Sequence, residues 1–120
     1  SELDLFGFSV ALSPDGASLA VGAPQESTAS TGIDGSQVGS GAPDSGAVYQ
    51  YARVGTTWTP RAYVKATNTQ MGDQFGWSVS GSADGSRLAV GAYLEDSNSR
   101  LINGDDASNA APDSGAVFVY

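Results

Sequence analysis

The chain repeats itself. Asp4-Leu5-Phe6-Gly7-Phe8-Ser9-Val10 returns as Asp73-Gln74-Phe75-Gly76-Trp77-Ser78-Val79, an offset of 73 − 4 = 69 residues. The same offset carries Leu19-Ala20-Val21-Gly22-Ala23 onto Leu88-Ala89-Val90-Gly91-Ala92. It also carries Ala42-Pro43-Asp44-Ser45-Gly46-Ala47-Val48 onto Ala111-Pro112-Asp113-Ser114-Gly115-Ala116-Val117. No gap is needed, and about half of the aligned positions are identical. The 120 residues are thus one unit of 69 and 120 − 69 = 51 residues of a second. Such a repeat constrains the fold more tightly than local propensity does, because each unit must bury its faces against a neighbour of the same kind.

Each unit reads as β structure. Phe6, Phe8, Val10 and Leu12 alternate with Gly7, Ser9 and Ala11, the period of a strand. Ser13-Pro14-Asp15-Gly16 supplies a tight turn. Ser18 to Ala23 is a second strand, and a long polar loop then runs from about Pro24 to Ser45. Gly46 to Arg53 is a third strand, Val54-Gly55-Thr56 a turn, and Trp58 to Lys65 a fourth. Pro60 cannot donate to a ladder, which places the fourth strand at the edge. No stretch has a convincing helical period. The expected class is all-β: β-propeller blades, four-stranded antiparallel meanders. Residues 1–69 form one complete blade. Residues 70–120 form a second that stops before its outer strand, and together they are part of one propeller. Two β-sandwich halves are the alternative.

Composition narrows function. With no His and no Cys, the chain cannot hold a Ser-His-Asp or Cys-His nucleophile system, a Cys/His zinc site or a disulfide. A net charge of −8 with five basic residues suits no phosphate backbone, so no nucleic-acid partner is expected. No apolar run approaches the roughly 20 residues of a membrane-spanning helix, so no membrane insertion is expected. The chain opens on Ser1 without Met or a charged-then-apolar leader, the pattern of a processed protein or of a piece of a longer one.

Phe6-Gly7 with Gly22-Ala23-Pro24, and Phe75-Gly76 with Gly91-Ala92-Tyr93, resemble FG-GAP repeats, the blades of integrin α-subunit propellers and of many bacterial surface proteins. The bacterial cell-surface subtype is closer: Asp73 to Gly76, Leu88 to Ala92, Asp44 to Tyr49 and Trp58-Thr59 match its pattern. The resemblance covers nearly the whole chain. It implies a non-enzymatic structural or adhesion module, extracellular or on a bacterial cell surface. Tyr93 replaces the second Pro, and the integrin-type calcium loop is absent: Ser13 to Gly16 and Ser82 to Gly85 hold one carboxylate each.

The motifs also have readings of their own. Phe6 and Phe75 are expected as plugs between neighbouring sheets, with Gly7, Gly22, Gly76 and Gly91 allowing close backbone approach. Asp4 and Asp73 are expected to accept backbone N–H bonds, and Asp44 and Asp113 to open Asx-turns. Arg61 and Lys65 read as solvating charges on an outer strand. Trp58, Trp77, Tyr93 and Tyr51 suit packing better than sugar stacking.

The polar loop of the second unit is the one place where chemistry could reside. Glu95, Asp96, Asn98, Asn103, Asp105, Asp106 and Asp113 gather the oxygen ligands that Ca²⁺ takes, although no strict EF-type loop is present and a loop held by Asx-turns explains them as well. Asp105 and Asp106 are adjacent and point apart on an extended chain, a poor glycosidase pair.

Two blades do not close a ring, which takes about 4–8. The third strand of the second unit, with Val117, Phe118, Val119 and Tyr120, is left with an open edge and is a template for strand addition. The expected partner is a second copy of the chain or the remainder of a longer propeller, giving a closed ring or a fibre. The alternative is a calcium-dependent adhesion domain that binds a surface protein or a glycan through the acidic loop.

Overall fold

The computed structural model describes residues 3–99 and 107–120. The described residues contain seven strands and no helix: β1 (Ser9–Leu12), β2 (Ser18–Ala23), β3 (Ala47–Val54), β4 (Thr57–Val64), β5 (Phe75–Gly81), β6 (Leu88–Ala92) and β7 (Ala116–Val119). They form two antiparallel sheets, one of order β1-β2-β3-β4 and one of order β5-β6-β7. The chain is all-β, as its periodicity requires, and each sheet is a meander. Pro60 lies in β4, the outermost strand of its sheet, where a missing N–H costs no ladder bond. The β3–β4 register shifts between Gln50 and Tyr51, at the residue paired with Pro60.

The β1–β2 and β5–β6 turns are built alike. Gly16 N–H donates to Ser13 O at 2.8 Å, and Ser13 Oγ donates to Asp15 Oδ1 at 2.6 Å. Gly85, Ser82 and Asp84 repeat both bonds. These hydroxyl and amide donors hold both carboxyls below the usual carboxylate range.

The second sheet lies face to face on the first. Phe75, Leu88, Val90 and Phe118 meet Ala20, Val48 and Val64 in one buried cluster. The aromatic edges interlock, Phe75 on Phe118 at 5.5 Å and on Tyr120 at 6.1 Å. Backbone bonds tie the sheets together as well: Gln74 and Phe75 N–H donate to Asp44 and Ser45 O, at 3.0 and 2.9 Å. Ser9 Oγ donates to Gly76 O at 2.7 Å. Contact this close needs glycine. A Cβ on Gly22 would overlap the carbonyl of Gly76, and Gly76 itself holds φ +91° against Ala47 O.

Three expectations are corrected. The first strand begins at Ser9 with Phe6-Gly7 in a turn, although Leu5 and Gly7 hold the same left-handed conformation as Gln74 and Gly76, where β5 already begins at Phe75. Phe6 is not a plug: it is 58% exposed, whereas Phe75 is fully buried. Gly7, unlike Gly76, has open space where a Cβ would stand. All three have one cause. The second sheet sits on one face of the first, and among the described residues no sheet covers the other.

Candidate interaction site

The long loop of the first unit is organised around a buried acid. Glu26 follows β2 and turns its carboxylate inward, where Thr28 N–H donates to Oε1 at 3.0 Å. Oε2 accepts from Lys65 Nζ at 2.8 Å and from Tyr63 Oη at 2.9 Å. Lys65 Nζ also donates to Ser45 Oγ at 2.7 Å. Lys65 is wholly buried, so it is no solvating charge. The alternation of β4 carries past its end, so Lys65 shares a face with Tyr63 and both side chains reach Glu26 under the loop. Burial pulls its ammonium pKa down, while Glu26 pushes it up. Arg61 is exposed, as expected.

The loop also closes the outer edge of β4. Tyr63 N–H donates to Asp34 Oδ1 at 2.9 Å, Asp34 N–H to Tyr63 O at 2.7 Å, and Lys65 N–H to Gly32 O at 2.8 Å.

The second unit builds the same pocket around Glu95, which is 1% exposed. Ser97 N–H and Oγ donate to Oε2 at 2.9 and 2.7 Å, and Asn68 Nδ2 donates to Oε1 at 2.8 Å. Ser114 Oγ stands where Ser45 Oγ stands, donating to Ser97 O at 2.6 Å. Among the described residues no cation pairs with Glu95.

Of the calcium candidates, Asn103, Asp105 and Asp106 lie outside the described residues. Asn98 is exposed. Asp96 Oδ1 accepts the N–H of Asp113 at 2.7 Å, which brings those two residues together. Asp113 and Asp44 both have φ 55°, each after a Pro in a turn closed by the next Ser N–H. The bonds that open the third strand therefore come from the Ser hydroxyls and not from Asp side chains. Among the described residues no three acidic groups converge as a metal site would need.

The predicted edge lies on β7, which pairs only with β6 among the described residues. Leu88 and Tyr120 exchange both backbone bonds at 2.9 Å. In an antiparallel ladder the hydrogen-bonded pairs alternate, so Phe118 also faces β6, while the N–H and C=O of Val117 and Val119 point to the open side. Phe118 is buried in the inter-sheet core, and Tyr120 Oη donates to Lys65 O at 2.9 Å.

The aromatics pack on one another. Trp77 stacks on Tyr93 at 4.8 Å and meets Phe8 at 4.6 Å, forming a half-exposed ladder across the two sheets. Arg53 lies 6.0 Å from the Trp58 ring.

Asp73 sits between the two acid pockets, 3% exposed, and accepts Gln70 N–H at 3.1 Å as expected. Burial, reinforced by Glu95 and Asp96, pushes its carboxyl up to about 6 against that hydrogen bond.

Tandem antiparallel meanders stacked face to face, each with a glycine-lined contact and an acid-centred loop, define a repeat-built β module. A family model for the FG-GAP repeat matches residues 58–120, and the chain belongs to that family. The match begins in β4 and runs through β7, so it spans the junction between the two sheets. No curated protein matches the chain.

The pair Glu26–Lys65 was missed in the sequence. Glu26 and Glu95 recur at the repeat offset, which signals a structural role, but the partner lies 39 residues away. Lys65→Met leaves a buried carboxylate without its cation and is expected to lower unfolding free energy by about 3–5 kcal/mol. Glu26→Gln added to it should restore most of the loss in urea titration. For Asp73, the folded state binds the proton more tightly than the unfolded chain. Its stabilising contribution is therefore complete below about pH 4 and lost as pH rises through about 6. The stability of the parent minus that of Asp73→Asn should fall across this window.

Proposed function

We propose that the chain is a non-enzymatic structural and interaction module, a β-propeller segment of an extracellular or cell-surface protein that assembles by blade packing and strand addition. The supporting observation is the contrast between equivalent residues. Phe75 is 0% exposed and its counterpart Phe6 58%; Val48 is 0% exposed and its counterpart Val117 62%. The outer face of the first sheet, with Phe6, Val10 and Leu12, has the same pattern as the face by which the second sheet docks. The far face of the second sheet, with Val117 and Gly91, has the pattern of the surface that receives it. Two faces of this kind on one chain fit each other head to tail. Such contacts close into a ring when the rotation permits and run on as a filament when it does not. A ring of about 4–8 blades takes about 2–4 copies.

Light scattering on the purified chain is expected to give a mass that is a multiple of 12.1 kDa. Val117→Asp and Phe6→Asp are each expected to return it toward one copy with the β circular dichroism kept. A monodisperse parent of 12.1 kDa would contradict the reading.

Calcium-dependent binding of a protein or glycan through the loop from Glu95 to Asp113 is the second reading. It draws on the approach of Asp96 to Asp113. The first reading expects the same melting temperature in EDTA and in millimolar CaCl₂. A rise with CaCl₂ would favour the second, because a ion bound to the native state stabilises it by mass action.

A further inference from the structure

We propose that Glu95 and the open side of β7 form a docking site specific for one extended strand that ends in the pattern Tyr-x-Lys, with the lysine ammonium seated on Glu95. The inference rests on the strand-addition reading above and adds to it which strand is accepted.

The first sheet supplies the template. Tyr63 and Lys65 lie at and just beyond the end of β4 and both reach Glu26 Oε2. The second sheet reproduces the receiving half. Gly46 N–H donates to Glu26 O at 2.9 Å, and Gly115 N–H to Glu95 O at 2.8 Å. Thr28 and Ser97 each give an N–H and a hydroxyl to the carboxylate two residues before them. Ser45 Oγ faces the carbonyls of Glu26 and Thr28, and Ser114 Oγ faces those of Glu95 and Ser97.

What differs is the donor half. Glu26 has an ammonium and a phenol. Glu95 has the Asn68 amide on Oε1 and no cation among the described residues. A carboxylate offers about four acceptor positions, and three donors are placed on Glu95. A carboxylate 1% exposed with only neutral donors favours a partner that brings positive charge. The backbone groups of Val117 and Val119 fix the direction of the strand, and the Lys sets its register, since a slip of one residue turns the Lys to the other face.

The probe is a synthetic peptide with the sequence of Thr57–Lys65, titrated into the ¹⁵N-labelled chain. The Val117 and Val119 amides are expected to shift and become protected. A peptide with norleucine in place of the lysine is expected to bind at least tenfold more weakly, and Glu95→Gln to remove most of that difference. The peptide arm stands on the parent protein alone if Glu95→Gln does not fold. Equal binding of the two peptides at Val117 and Val119 would overturn the lysine socket and leave strand addition intact. No shift with either peptide would overturn strand addition itself. Val117 and Val119 amides that are already protected without peptide, in proportion to chain concentration, would place a second copy on the edge and overturn the assignment to a separate strand.

Discussion

A small four-stranded sheet with two apolar faces cannot bury both by itself. That constraint organises this molecule. The second sheet settles one of the four faces of the pair and is itself settled on one side. The burial of Phe75, Val90 and Phe118 on Ala20, Val48 and Val64 is possible only because Gly22 and Gly76 let two backbones approach to the distance of a single missing methyl. The contact is not merely greasy. The β5 entry also donates its N–H groups to the Asp44–Ser45 turn, so register between the sheets is set by directional bonds and the apolar area follows.

The acid-centred loops serve the same end. A largely polar loop of more than twenty residues has many backbone groups to satisfy and little apolar area to hold it. In the first unit a buried ion pair fixes it: Glu26 anchors the loop, Lys65 anchors the outer strand, and Tyr63 and Ser45 complete the cage. Buried pairs contribute little net stability against an apolar substitute, but breaking one is costly. The device therefore specifies which strand belongs at the edge. Asp73, held between the two acid pockets, has its carboxyl pushed up by burial first and by the nearby Glu95 and Asp96 second.

Much of this was legible in the sequence. The offset of 69 gave the two units, the alternation gave the strands, and Pro60 placed β4 outermost. Ser13 and Asp15 behave as a turn of that composition must. Burial was not legible where it depends on a neighbour. Phe6 and Phe75 have nearly the same local sequence and opposite environments, because only one has a sheet laid over it. Lys65 looked like a surface charge because the loop that covers its face of β4, and that supplies its partner Glu26, is distant in sequence. The acidic residues of the second loop resembled ligands. Those that are described hold their own backbone: Glu95 binds Ser97, and Asp96 binds the N–H of Asp113.

The central claim is that the exposed faces are unfinished contacts and not a finished surface. Hydrogen exchange measured residue by residue across a range of chain concentrations tests it directly. The account predicts that the amides around Phe6 become protected as concentration rises, approaching the protection of those around Phe75. Protection at Phe75 with free exchange at Phe6 at every concentration would contradict it.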